Sequence, residues 1–151
     1  MLGRKTYTQD ELDHATTAID EQLAAYKRLA AAIEASADPE AKAALAAFEP
    51  LFCTTLTLAL DRRFVHRLRV STGKDGNALN EVELLVESLM NNGGVLRGNN
   101  VIKYVPEQAV LGLRPGDEIA IGADDFERLS QAFLAEIGSR FVEAGAAQPA
   151  A

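Results

Sequence analysis

The chain has 151 residues, enough for one domain that buries about 70% of the surface its unfolded form exposes. A hydrophobic fraction of 48% and a charged fraction of 25% are those of an ordinary globular protein and exclude a chain disordered throughout. The net charge of −7 weighs against general nucleic-acid affinity, which depends on neutralising phosphates, and the single Cys53 excludes an intrachain disulfide.

Residues 1–72 carry nine Lys/Arg against ten Asp/Glu, and residues 73–151 carry six against twelve, so the acidity belongs to the second half. Glycine divides the chain in the same place. None lies between Gly3 and Gly73, and eight lie from Gly73 to Gly122. A long glycine-free stretch rich in alanine and leucine predicts helix, whereas Asn-Gly-type and Pro-Gly pairs predict turns between short elements. The N-terminus leads into a charged segment with no apolar signal region, which predicts a cytoplasmic protein.

Residues through Thr6 are expected to fray. Thr8 then predicts a helix start, with Glu11 completing a capping box. Leu12, Ile19, Tyr26 and Ile33 share one heptad column of an amphipathic helix ending near Ala37. At 1.5 Å per residue, about 29 residues span roughly 44 Å. A compact chain of this length is roughly 38 Å across, so the helix implies an elongated bundle or a partner chain.

Asp38 caps a second helix with Pro39 at its first position. Pro50 predicts a kink or short break. Beyond it Cys53, Leu56, Leu60, Phe64 and Leu68 step by three and four, and Leu51, Leu58 and Val65 widen the apolar face. This reads as the central buried helix, ending near Val70. The stretch Leu51–Leu60 is too short to span a bilayer.

Ser71–Asn77 is a loop, and Asn80 with Glu83 predicts the start of a short helix stopped by Asn92 and Gly93. Val95–Arg97 and Val101–Val105 flank Gly98-Asn99-Asn100 and predict a β-hairpin, followed by a third strand over Glu118–Ile121. Asp124 and Glu127 predict the cap of a last helix, with Phe126, Leu129, Phe133, Ile137 and Phe141 inward and Gly145 just past its end. The expected fold is mainly α within an α+β pattern. It comprises one domain over residues 1–151: a helical half (8–70), a loop, short helix and small β region (71–122), a C-terminal helix (123–143) and a small-residue tail (144–151).

Candidate chemistry concentrates in Asp61-Arg62-Arg63-Phe64-Val65-His66-Arg67-Leu68-Arg69. On a continuing helix Arg62, His66 and Arg69 fall within an arc of about 60°, a cationic face able to hold a small phosphate or carboxylate ligand. The competing reading is that these cations complement the helix dipole and pair with the acidic second half. His14 lies three residues after Glu11, half of a di-iron spacing, but no second motif exists, so His14 is expected to be exposed and unliganded. Two histidines cannot build a three-histidine zinc site. Cys53 falls in the apolar stripe and reads as a small buried hydrophobe. Glu81, Glu83 and Glu87 read as solvation of a short surface helix, and Gly73–Asn77 as an exposed turn without phosphate-loop spacing.

Val101-Ile-Lys-Tyr-Val-Pro106 followed by Val110-Leu-Gly-Leu-Arg-Pro-Gly-Asp-Glu-Ile119 resembles the swapped-hairpin transcription-factor module of the AbrB type. The resemblance covers about 20 residues and implies an intertwined dimer that binds DNA through basic residues. Here Lys103 and Arg114 are nearly the only cations, amid Glu107, Asp117 and Glu118, so no functional residue is carried across.

The reading is therefore a non-enzymatic interaction or scaffold protein acting through a helical face. A homodimer is expected, because the first two helices carry more apolar surface than a small appendage covers. The alternatives are an anion-binding protein or simple enzyme centred on Arg62, His66 and Arg69, and a DNA-binding regulator disfavoured by charge. No cofactor, no metal, no catalytic residue and no membrane are expected.

Overall fold

A computed structural model describes residues 3–143, which form five α-helices. These are α1 (Gln9–Glu34), α2 (Pro39–Arg63), α3 (Arg69–Thr72), α4 (Ala78–Asn91) and α5 (Ala123–Phe141), with one 3-10 turn at Pro106–Gln108. The expected tail at 144–151, with Gly145, lies outside the described residues.

The first two helices start as their caps dictate. Thr8 Oγ1 accepts from Glu11 N at 3.1 Å while Glu11 Oε2 accepts from Thr8 N at 2.7 Å. Arg4 clamps the same carboxylate at 2.8 and 3.0 Å, and that hydrogen-bonded pair holds Glu11 down to about 2. Asp38 Oδ1 accepts from Glu40 N and Ala41 N at 3.0 and 3.2 Å. The expected fraying through Thr6 is corrected in part: Arg4 N donates to His66 O at 2.7 Å, and Leu68 N donates to Arg4 O at 3.0 Å. These bonds tie the segment before α1 to the segment leaving α2.

Three helix expectations are corrected. Pro50 does not break α2, which runs through it to Arg63. One missing N–H is outweighed by Leu45, Cys53, Leu56 and Leu60, buried on either side of it in the chain. The helix does not reach Val70 either. Phe64 leaves helical geometry, His66 takes a positive φ of 62°, and four residues of α3 follow. Nor is α2 the central helix. That place belongs to α5, which packs against α1, α2, α3 and α4 and encloses Phe126, Leu129, Phe133, Ile137 and Phe141.

Two capping assignments shift by a few residues. Asn77, not Asn80, caps α4, its Oδ1 accepting from Leu79 N at 3.0 Å and Asn80 N at 3.3 Å. Asn80 is instead buried inside the helix. At α5 the cap is Gly122, and a carboxylate from another helix completes the start. Glu49 Oε2 accepts from Ala123 N at 3.0 Å while Glu49 Oε1 accepts from Tyr26 OH at 2.6 Å. One glutamate thereby joins α1, α2 and α5.

The expected hairpin and three-stranded sheet do not form: no β-strand exists among the described residues, only isolated bridges such as Val95 with Glu118. The cause is local. Asn99 Oδ1 accepts from Val101 N at 2.9 Å and Ile102 N at 2.8 Å, taking amides that a hairpin ladder would use. Asp117 Oδ2 accepts from Arg114 N at 2.7 Å in the next turn. Residues 92–122 are instead a chain of turns laid over α4 and α5. Ile102 and Ile121 anchor it in the core, and Tyr104 OH donates to Leu113 O at 2.6 Å. The segment that resembles the swapped-hairpin module thus lacks the module's strands.

Candidate functional site

The helix end at Arg63 decides the fate of the Arg/His cluster. Arg62 is the penultimate residue of α2, His66 follows in a left-handed turn, and Arg69 opens α3, so the three do not share a helical face. Arg62 and His66 are exposed. Arg69 is engaged within the chain. Its Nη1 donates to Asn80 Oδ1 at 2.8 Å and Gly73 O at 3.1 Å, and its Nη2 meets Glu83 Oε1 at 2.6 Å.

Arg67 is the buried member of the run. Its side chain is 7% exposed. It donates to Asp61 Oδ1 at 2.9 Å and Phe64 O at 2.8 Å, and lies over the Phe133 ring at 5.2 Å. Its Nε has no partner among the described residues. Tyr7 OH donates to Val65 O at 2.7 Å beside it. These contacts brace the chain where α2 ends.

A cleft of about 440 Å³ opens beside this brace, lined by Asp61, Glu83, Leu84, Glu87, Met90 and Arg97 among others. Each carboxylate on its wall is matched by an arginine: Asp61 by Arg67, Glu83 by Arg69, and Glu87 by Arg97 at 3.3 Å. Such pairing leaves no lone acid poised beside a base, the arrangement that acid–base catalysis uses. Ser88 is buried and receives Arg97 N at 2.9 Å, so its hydroxyl serves the fold. Among the described residues no three His, Cys, Asp or Glu side chains stand close enough to hold a metal ion. His14 is exposed, and Cys53 is buried with burial pushing its thiol up to about 11.

Glu81 is the residue that sequence reasoning missed. Read as surface solvation, it is 1% exposed and accepts from Val110 N at 2.7 Å and Leu111 N at 2.9 Å. Burial raises its pKa, with the two amides and Arg128 opposing. It pins the turn region to α4. Only its place among Val82, Leu84 and Leu85 hinted at this, since nothing local names residues thirty positions away as its partners.

The least satisfied surface lies on α2. By length and composition this is a helix able to cross a membrane, the one such helix among the described residues, yet only its inner face is covered. Leu45, Cys53, Leu56, Thr57 and Leu60 are buried, and Glu49 on that side is held by Tyr26 and Ala123. The outer face carries Ala44, Ala47, Phe48, Leu51 and Thr55, all exposed, with Thr54 and Leu58 half-buried. Leu51 is 69% exposed and Phe48 45%. At about 100° per residue, these positions lie within about 60° on either side of Leu51. The stripe is continuous over four turns and uncharged until Glu40 at one end and Arg62 at the other.

Compared with known proteins, the chain matches no family model, no curated protein and no solved structure.

Proposed function

We propose that the protein is a non-enzymatic interaction protein whose working surface is the bare face of α2, and that it assembles as a homodimer through that face. The observation that carries this reading is the uncharged stripe from Ala44 to Leu58, exposed on a helix whose other side is core. Isolated surface leucines are ordinary, but a contiguous apolar stripe marks a contact surface. The arginine-matched carboxylates of the neighbouring cleft favour a binding role over an enzymatic one. In this reading Arg62 acts at the rim of a protein contact, not as the centre of an anion site.

Sedimentation velocity tests the proposal. At ten micromolar the unaltered protein is expected to sediment at twice the chain mass of 16.2 kDa. Leu51→Glu should sediment as a monomer with an unchanged far-ultraviolet helix signal, because burying an unpaired carboxylate in an apolar contact is costly. An unaltered protein that stays monomeric at that concentration overturns the homodimer.

A further inference from the structure

The outer face of α2 is self-complementary about Leu51, and this property identifies how two copies meet. Positions equally spaced before and after Leu51 form matched pairs: Ala44 with Leu58, Ala47 with Thr55, Phe48 with Thr54, and Glu40 with Arg62. Each pair sets a residue beside one that it can pack against or neutralise. Neither Glu40 nor Arg62 has an ion-pair partner among the described residues, and both are exposed.

We infer that α2 docks antiparallel on α2 of a second copy, with Leu51 on the two-fold axis and Glu40 facing Arg62 of the partner subunit. The inference rests on the proposed dimer and specifies its geometry. A two-fold contact requires one patch to complement itself, and the pairing about Leu51 does so at every position of the stripe. A parallel arrangement would place Glu40 against Glu40 and Arg62 against Arg62, and would align the two helix dipoles. The antiparallel one opposes the dipoles and gives two Glu–Arg pairs per dimer at the rim, where charges set orientation more than strength. The alanines at 44 and 47 let the backbones approach closely. At an interaxial distance of about 8–10 Å, two helices of radius about 2.3 Å bring facing Cα atoms to about 3.4–5.4 Å.

The upper part of that range, above about 4.4 Å, permits a disulfide and supplies the test. In a Cys53→Ala background, Leu51→Cys is expected to give a covalent dimer on mild oxidation, since the position faces itself across the axis. Ala44→Cys alone should not cross-link, whereas Ala44→Cys combined with Leu58→Cys should. Arg62→Glu should weaken dimerisation roughly tenfold, and the double variant Glu40→Arg with Arg62→Glu should restore it.

A dimer by sedimentation that fails to cross-link at position 51, or that cross-links through position 44 alone, overturns the antiparallel register while leaving the dimer standing. A monomer at every concentration overturns both. Retention on phosphatidylcholine vesicles in place of self-association would assign the stripe to a lipid surface and overturn the inference.

Discussion

Glu81 and Glu49 do comparable work by different routes. Each is a carboxylate whose acceptor capacity is used by backbone amides far away in sequence. Glu81 meets Val110 and Leu111, and Glu49 meets Ala123 while also receiving Tyr26 OH. A buried amide without an acceptor costs about 1–3 kcal/mol. Glu81→Ala is therefore expected to destabilise the fold by about 2–4 kcal/mol in urea unfolding, and to speed hydrogen exchange at the Val110 and Leu111 amides. Glu81→Gln, keeping one acceptor, should cost less. A loss below about 0.5 kcal/mol would show that water replaces the carboxylate at those amides. In the sequence Glu81 looks no different from Glu83 or Glu87, both of which reach arginines at the surface. Burial separates the three, and burial depends on where residues 110–111 come to lie.

Among the elements, α1 and α2 were legible from their caps and periodicity, because a capping box and a Pro at the first helical position act within a few residues. The α2 C-terminus was not. Apolar steps through Phe64 and Leu68 mimic a continuing helix, but Phe64 is instead enclosed by Tyr7, with ring centroids 5.0 Å apart, and by Phe133 at 5.9 Å. The turn at His66 brings Phe64 into that cluster and Arg67 onto Phe133. The predicted arc of Arg62, His66 and Arg69 dissolved for the same reason.

Pro50 shows the opposite balance, a local breaker overruled by packing. Pro50→Ala should raise stability by about 1–3 kcal/mol in denaturant unfolding, since it restores an N–H facing the Ala46 carbonyl and removes the ring's clash with it. A loss of stability would mean that the ring's packing outweighs the recovered hydrogen bond. The absent hairpin belongs at this scale too. Val101-Ile-Lys-Tyr-Val105 has the β-branched and aromatic composition of a strand, yet Asn99 captures the two amides that would begin the ladder.

For the whole molecule, the governing fact is an imbalance of cover. The helix α5 is surrounded by the other four, and Phe126, Leu129, Phe133, Ile137 and Phe141 on it are fully buried, while α2 is covered on one side only. A chain that completes its cover by self-association gains stability through mass action, so its melting temperature depends on concentration. The melting temperature of the unaltered protein is expected to rise between one and one hundred micromolar, while that of Leu51→Glu stays constant. Equal behaviour of the two would place the stripe outside any self-contact.

The mainly helical class and the inward faces of α1 and α5 follow from the sequence alone, as do the caps at Thr8 and Asp38 and the burial of Cys53. All of these rest on spacings of three and four residues or on bonds that close within one turn. Tertiary structure alone decided that α5 is the hub, that α2 stops at Arg63, that Glu81 is interior, and that Leu51 faces solvent. An all-round apolar helix such as α2 carries no local mark of which face its neighbours will cover. That choice is made by helices and turns that lie far away in the chain, as Ala123 lies 74 positions from Glu49.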